Sequence, residues 1–349
     1  MKGFFLSIAL SIIFVCSLSA HDFMATINGQ KIYFNVTDSK KLTVEVTYGG
    51  SIMNKNSIKP QGQIEIPAKV KHKGKVYSIT AIGQKAFANA TELKNIVLPI
   101  GIKEIKDFAF ENCSKLNSII MPGAQVKFGQ GTFFLCSNIE AVTFGSDWTQ
   151  IDLAIFRWSD KIQEIYIPAK VDKIYNLNTL KGLKKAMVDS NNSKYSSCDG
   201  IVYSKDFKVL LACPLAYEGL AKVAENTSII RAGAMIGCVG ITSIELPETM
   251  EKFSFREFSK MSQLQTINIR NSIPAKTARY RDGEVFILQL ANQKAKVNVP
   301  KSALKEYKNK IVVTEGEFYE NSSNATTPYL VKSAEMATAK NLYGVRIFK

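Results

Sequence analysis

Apolar positions recur along this chain at a step of 23 residues. ITAIGQKAFANATELKNIVLP, from Ile79, is followed by IKEIKDFAFENCSKLNSIIMP, from Ile102, so that Ile82 matches Ile105, Phe87 matches Phe110, Leu93 matches Leu116, Ile96 matches Ile119 and Pro99 matches Pro122. The same step reaches Phe128, Phe133, Ile139 and Val142, and then Ile151, Phe156, Ile162, Ile165 and Pro168. After an interruption the pattern resumes at Ile230, Met235, Ile241, Ile244 and Pro247, and again at Phe253, Phe258, Leu264 and Ile267. The interval from Ile174 to Ile230 is two periods plus ten residues. DGIVYSKDFKVLLACP, from Asp199, alternates on either side of Lys205-Asp206, which predicts a β-hairpin insert near 199–214 that absorbs the excess.

Each unit contains an L-x-x-L-x-L core, as in Leu93-x-x-Ile96-x-Leu98 and Leu116-x-x-Ile119-x-Met121, and this core at this period predicts a leucine-rich repeat solenoid. The expected fold has 23-residue coils, a parallel β-sheet on the concave face, a β-rich N-terminal cap and a small α+β C-terminal cap. One coil cannot bury its anchors alone, so neighbouring coils must stack and share a core. Each anchor is worth roughly 1.5–3 kcal/mol on full burial. The column Phe87, Phe110, Phe133, Phe156, Met235, Phe258 reads as the spine of that core, with rings offset from coil to coil. Pro99, Pro122, Pro168 and Pro247 close strands, where a missing N–H does least harm.

Coils reading Ile-x-x-x-Ala-Phe-x-x-Cys-x-x-Leu-x-x-Ile-x-x-Pro, as in IKDFAFENCSKLNSIIMP, resemble the BspA-like leucine-rich repeats of bacterial surface proteins. The resemblance runs roughly from Ile79 to Asn271, and NNSKYSSCDGIVYSKDFKVLLACP resembles an insert common between coils of that family. It implies an exported or surface-exposed binding protein, with adhesion to host matrix glycoproteins among the family's roles. Departures from the motif occur at Phe156, which lacks the preceding Ala, at Met235, which replaces Phe, and near Leu180, where the coil is shortened.

The repeat leaves four further segments to place. MKGFFLSIALSIIFVCSLSA, residues 1–20, carries one Lys, an apolar stretch and terminal small residues, which is the pattern of a cleaved export signal. Its apolar run is shorter than the ~20 residues a membrane span needs. Residues 21–78 alternate in KIYFNV, KLTVEV and GQIEIPAKVKHKGKVYSIT and form the expected N-terminal cap. The solenoid occupies 79–272. In 273–320, the expected C-terminal cap, FILQL and KVNVP read as strands and SALKEYKNK as a short helix; 321–349 is a linker and tail.

Charge narrows the partners. The chain has 45 Lys and Arg against 30 Asp and Glu, and the leader contains only one of the basic residues. Such a field attracts polyanions, and for an exported chain anionic glycans and acidic proteins are the relevant ones rather than nucleic acid. Six Cys, one of them in the leader, leave an odd number. Cys113, Cys136 and Cys238 each fall eight residues after their coil's anchor and read as core packing, whereas Cys198 and Cys213 flank the hairpin and are the candidate disulfide.

Catalytic chemistry has little to work with, since there are only two His and no phosphate loop, H-E-x-x-H helix or G-x-S-x-G elbow. The chain reads as a non-enzyme with no cofactor. A remote alternative is a copper-dependent oxidative enzyme in which His21, exposed as the amino terminus, joins His72. The binding residues are expected where L-x-x-L-x-L points outward: Asn95, Ser118, Glu164 in the nearer row, and Val97, Ile120, Thr143, Tyr166 and Glu245 in the central one. Lys94, Lys103, Lys106, Lys115, Lys127, Lys161 and Lys173 are expected to flank this face as a basic field, and they carry the alternative function, binding of anionic polysaccharide.

Overall fold

The computed structural model describes residues 21–49, 59–253 and 257–273, with short pieces between 276 and 348. The expected leader 1–20, half of the C-terminal cap and nearly all of the tail lie outside the described residues.

Two rows of short parallel strands run the length of the molecule, with the apolar core between them. The first row is built from the L-x-x-L-x-L segments. Gly62–Glu65, Leu93–Val97, Ser118–Ile120 and Ala141–Thr143 form one parallel ladder, and Glu164–Ile167 pairs with Lys185–Val188. Past the insert, Gly219–Lys222, Ile241–Leu246, Thr266–Ile269 and Lys296–Asn298 form another. The second row follows the opening anchor of each coil: Ile82 pairs with Ile105, Ile105 with Phe128, Ile151 with Ile174, and Leu210 with Ile230. Consecutive anchors within a coil therefore point at one another from opposite rows. Neither row buries anything without the other.

The 23-residue step makes like stack on like. Phe87, Phe110, Phe133 and Phe156 are almost wholly buried and stack successively, with ring centroids 5.1, 5.3 and 5.0 Å apart and interplanar angles of 1°, 13° and 21°. The turn around this column is held by a second ladder, in which the Phe87 N–H donates to the Ala109 carbonyl and the Phe110 N–H to that of Thr132. Asn89 and Asn112 end the turn in the left-handed region, at φ 62° and 55°, which Asn tolerates better than most residues, and the Asn112 amide donates to Asn89 Oδ1 at 2.9 Å. In the third coil the same place is held by Leu135 at φ 60°.

At its start the chain forms an antiparallel meander, Phe23–Ile27, Gln30–Asp38 and Thr43–Thr47, whose last strand pairs in parallel with Lys75–Ile82 and so feeds into the second row. The Gln30 side chain meets the outer edge of Gly62–Glu65 as another backbone would: its amide donates to the Gln61 carbonyl at 2.9 Å and its oxygen accepts from the Gln61 N–H at 2.7 Å. That edge is partly satisfied without an additional strand.

The insert is a three-stranded antiparallel meander of Tyr195–Cys198, Ile201–Ser204 and Val209–Ala212, one strand more than the single hairpin expected. Its last strand pairs in parallel with Ile229–Ile230, which returns the chain to the second row and restores the phase. Because strand residues alternate sides, Val202 packs into the core that begins at Phe23 while its neighbour Ile201 packs into a second core ending at Tyr307. The meander is a partition between two cores. Near the C-terminal end, Phe286–Gln289 and Lys296–Asn298 are strands, and Lys301–Ala303 is a single 3₁₀ turn. Ile347–Phe348 pairs in parallel with Lys296–Asn298.

Candidate functional site

Strand register decides which outward side chains of the first row become neighbours. Asn95 lies beside Ser118 and Val97 beside Ile120, and Ile120 in turn lies beside Thr143. Further along, Glu164 faces Lys185 and Tyr166 faces Met187. Beyond the insert, Glu245 sits between Lys222 and Asn268, and Leu220 beside Ser243. The expected residues thus fall into two groups, one on each side of the partition. Ladder pairing is also interrupted between Ala141–Thr143 and Glu164–Ile167.

The polar members of this face are largely occupied with one another. Ser118 donates to Asn95 Oδ1 at 2.7 Å, the Ser243 and Thr266 hydroxyls share a hydrogen bond, and Asn298 donates to Asn268 Oδ1 at 2.7 Å. Glu164 pairs with Lys185 at 3.7 Å. The Tyr166 hydroxyl donates to Asp189 Oδ2 at 2.6 Å, and that bond raises the phenol's pKa and lowers the carboxyl's. The largest side chains left open to a partner are apolar or aromatic. Ile120, Tyr166 and Met187 expose 45%, 49% and 40% of their surface, and Leu220 exposes 48%. A satisfied rim around exposed apolar groups is the composition of a recognition surface, where burial supplies energy and fixed polar groups supply shape.

Met187, Asp189 and Leu220 were not among the expected residues. The coil of Met187 is out of step, since the register pairs Glu164 with Lys185 and Tyr166 with Met187, an offset two short of the repeat; Leu220 pairs with Ser243 at the full 23 residues and is reached by counting back from that outward position. The signal was present in Leu183-x-x-Ala186-x-Val188, which keeps the L-x-x-L-x-L form.

The basic flank is corrected by the structure. Lys106 pairs with Glu45 at 2.6 Å, Lys115 with Glu92 at 2.8 Å, Lys127 with Glu104 at 3.0 Å and Lys161 with Glu140 at 4.0 Å. Two of these acids sit 23 residues before their Lys, so coil stacking itself brings opposite charges together. Such exposed pairs add little stability. They do cancel much of the field that these lysines were expected to project. Lys94, Lys103 and Lys173 have no ion-pair partner among the described residues.

The two His are each set against an aromatic ring: His21 lies 4.5 Å from Tyr33, and His72 lies 4.2 Å from Phe23 at an angle of 11°. Among the described residues no group of three or more His, Cys, Asp or Glu is placed to hold a metal ion. Cys113, Cys136 and Cys238 are fully buried, and their thiols donate to carbonyls of the preceding coil, those of Phe87, Phe110 and Pro214. Cys198 and Cys213, the candidate disulfide, carry free thiols here. The Cys213 carbonyl accepts from the Cys238 thiol at 3.7 Å, and burial pushes the Cys213 thiol pKa well up. Among the described residues no helix is long and apolar enough to cross a membrane.

Comparison with known proteins bears on the repeat. The fold is similar to that of the pneumococcal vaccine antigen PcpA, at 15% identity and a TM-score of 0.46, covering 87% of this chain and all of that one. A leucine-rich repeat protein from Bacteroides ovatus is 18% identical with a TM-score of 0.44, covering 94% of this chain and all of that one. A leucine rich cell surface protein from Faecalibacterium prausnitzii is 17% identical with a TM-score of 0.38, covering 84% and 95% of the two chains. Among curated proteins none matches. The BspA type leucine rich repeat region, however, is matched in six copies over residues 64–181 and 221–278, just over half of the sequence. With the stacked coils, the phenylalanine column and the two strand rows already in place, this match makes the chain a member of the BspA-type leucine-rich repeat family.

Proposed function

We propose that this is an exported or cell-surface binding protein that recognises a protein partner, such as a host matrix glycoprotein, through the outward face of its first strand row. The observation that carries this reading is the set of exposed apolar side chains, Ile120 with Val97 at its edge on one ladder and Tyr166 with Met187 on the next, among polar groups that are largely paired. Family membership supports a binding role, since a repeat scaffold offers a long surface and little catalytic machinery. The apolar, Lys-led segment 1–20 supports export.

The test is binding of the protein to a panel of matrix glycoproteins at low and high salt, beside the double substitution Ile120→Asp/Tyr166→Asp. Both side chains are half exposed, so the variant keeps its fold. Contact through this face predicts salt-tolerant binding that falls at least about 30-fold in the variant, as for an interface hot spot. Binding equal to that of the unsubstituted protein would remove the face from consideration.

A further inference from the structure

The lysines with no acid beside them are concentrated elsewhere. Lys69–His72 pairs in antiparallel fashion with the first half of Lys75–Ile82, and this hairpin carries Lys69, Lys71, Lys73 and Lys75, all exposed. The ammonium group of none of the four has an ion-pair or hydrogen-bond partner among the described residues, unlike those of Lys106, Lys115, Lys127 and Lys161 on the flanks. The four charges stand within seven residues.

The root of the hairpin is firm. Val70 and Tyr77 are buried, the His72 ring lies flat on Phe23, and Tyr77 packs against the same ring at 5.9 Å. Its tip is a tight turn in which Lys73 and Gly74 both have positive φ, 45° and 74°. Gly is suited to that conformation and Lys is not. Cross-strand register puts Lys69 and Lys71 on one face with Ser78 and Val76, and Lys75 on the opposite face with His72. Lys69 and Lys71 are two residues apart along a strand, or about 7 Å.

We infer that this hairpin is a docking finger for a sulfated or otherwise polyanionic polysaccharide. Lys69 and Lys71 on the open face, with Lys73 and Lys75 about the tip, suit a flexible anionic chain that can follow that face and bend over the end, whereas a flat membrane would meet the face or the tip but not both. Bases would need an exposed aromatic platform, and the ring-bearing residues of the hairpin, Tyr77 and His72, are packed onto Phe23. The inference is independent of the strand-face reading and places polysaccharide contact on the N-terminal hairpin instead of the ion-paired flanks.

Heparin is the probe. The unsubstituted protein is compared with Lys69→Thr/Lys71→Thr/Lys73→Asn/Lys75→Thr, which keeps strand-compatible residues and a turn-compatible Asn, and with Lys94→Ser/Lys103→Ser/Lys173→Ser/Lys181→Ser, which removes the same charge from exposed positions elsewhere. The finger variant is expected to bind heparin at least ten-fold more weakly at 0.1 M salt and to show a shallower salt dependence, because fewer counter-ions are released. The control variant is expected to stay within about three-fold, and Ile120→Asp/Tyr166→Asp to bind heparin normally. Equal losses in both lysine variants would reduce the effect to net charge and overturn the inference. So would an absence of heparin binding at low salt, or tighter finger-dependent binding to phosphatidylserine vesicles or single-stranded DNA than to heparin.

Discussion

The coils before the insert and those after it fill the same repeat positions by different means. Before it, the spine is four phenylalanines stacked at about 5 Å, and the turns beside them are tied by backbone bonds from one coil to the next. After it, the spine continues as Met235 and Phe258, and side chains receive backbone amides. Glu257, at the position held by Ala86 and Ala109 earlier, is fully buried and accepts from the Gly233 and Met235 N–H groups at 2.7 and 3.2 Å. The hydroxyl of Tyr203, also buried, accepts from the Ala224 N–H at 3.2 Å. Beside the phenylalanine column the N–H groups of Phe87 and Phe110 find carbonyls of the next coil. In the coil of Met235 and beside Tyr203 they are met by buried polar side chains, because an unpaired one costs as much as a lost hydrogen bond.

The largest expected effect tests the stacked column. Phe110 lies between Phe87 and Phe133, so Phe110→Ala should lower stability by about 4 kcal/mol, near the upper part of the range for a buried aromatic. Met235→Ala, in the more adaptable second core, should cost nearer 3 kcal/mol. Denaturant unfolding followed by circular dichroism measures both. Equal costs would mean that ring stacking does not distinguish the two halves.

An intermediate effect concerns Glu257. Glu257→Ala leaves two amides without their acceptor and should cost about 2 kcal/mol. Burial is the main influence on this carboxyl and raises its pKa, against the lowering effect of the amides. A raised carboxyl favours the folded state most at pH values below the ordinary glutamate value of 4.5, and that contribution is lost as pH rises through the folded-state pKa. Stability of the unsubstituted protein relative to Glu257→Gln should therefore decline from acid towards neutral pH. A difference that stays flat across that window would show that burial leaves this carboxyl untouched.

The smallest effect is a gain. Leu135 holds the left-handed turn position that Asn89 and Asn112 hold in the two coils before it, and it exposes 46% of its surface. Leu135→Asn should stabilise the protein by about 0.5–1 kcal/mol by relieving the backbone while giving up little burial. A rise in melting temperature of a few degrees would extend the Asn ladder into a third coil, and a fall would show that the leucine is held by contacts stronger than its strain.

The architecture was legible in the chain because it follows from periodicity. A fixed 23-residue step can bury its anchors only by stacking identical turns, and so the strands, the phenylalanine column and the buried cysteines at their fixed offset could be written down residue by residue. The outward positions Val97, Ile120 and Tyr166 followed from the same alternation, and the structure pairs Val97 with Ile120 and sets Tyr166 on the next ladder beside Met187. Other features were decided only when coils met in three dimensions. Met187 joined the exposed face because a shortened coil reset the register, and register is a property of paired strands rather than of one segment. The charge map changed for the same reason. A lysine in the sequence is only a positive residue, but a lysine one coil from a glutamate is largely cancelled, and the four on the Lys69–Lys75 hairpin stay uncompensated because no acid among the described residues is brought into an ion pair with them.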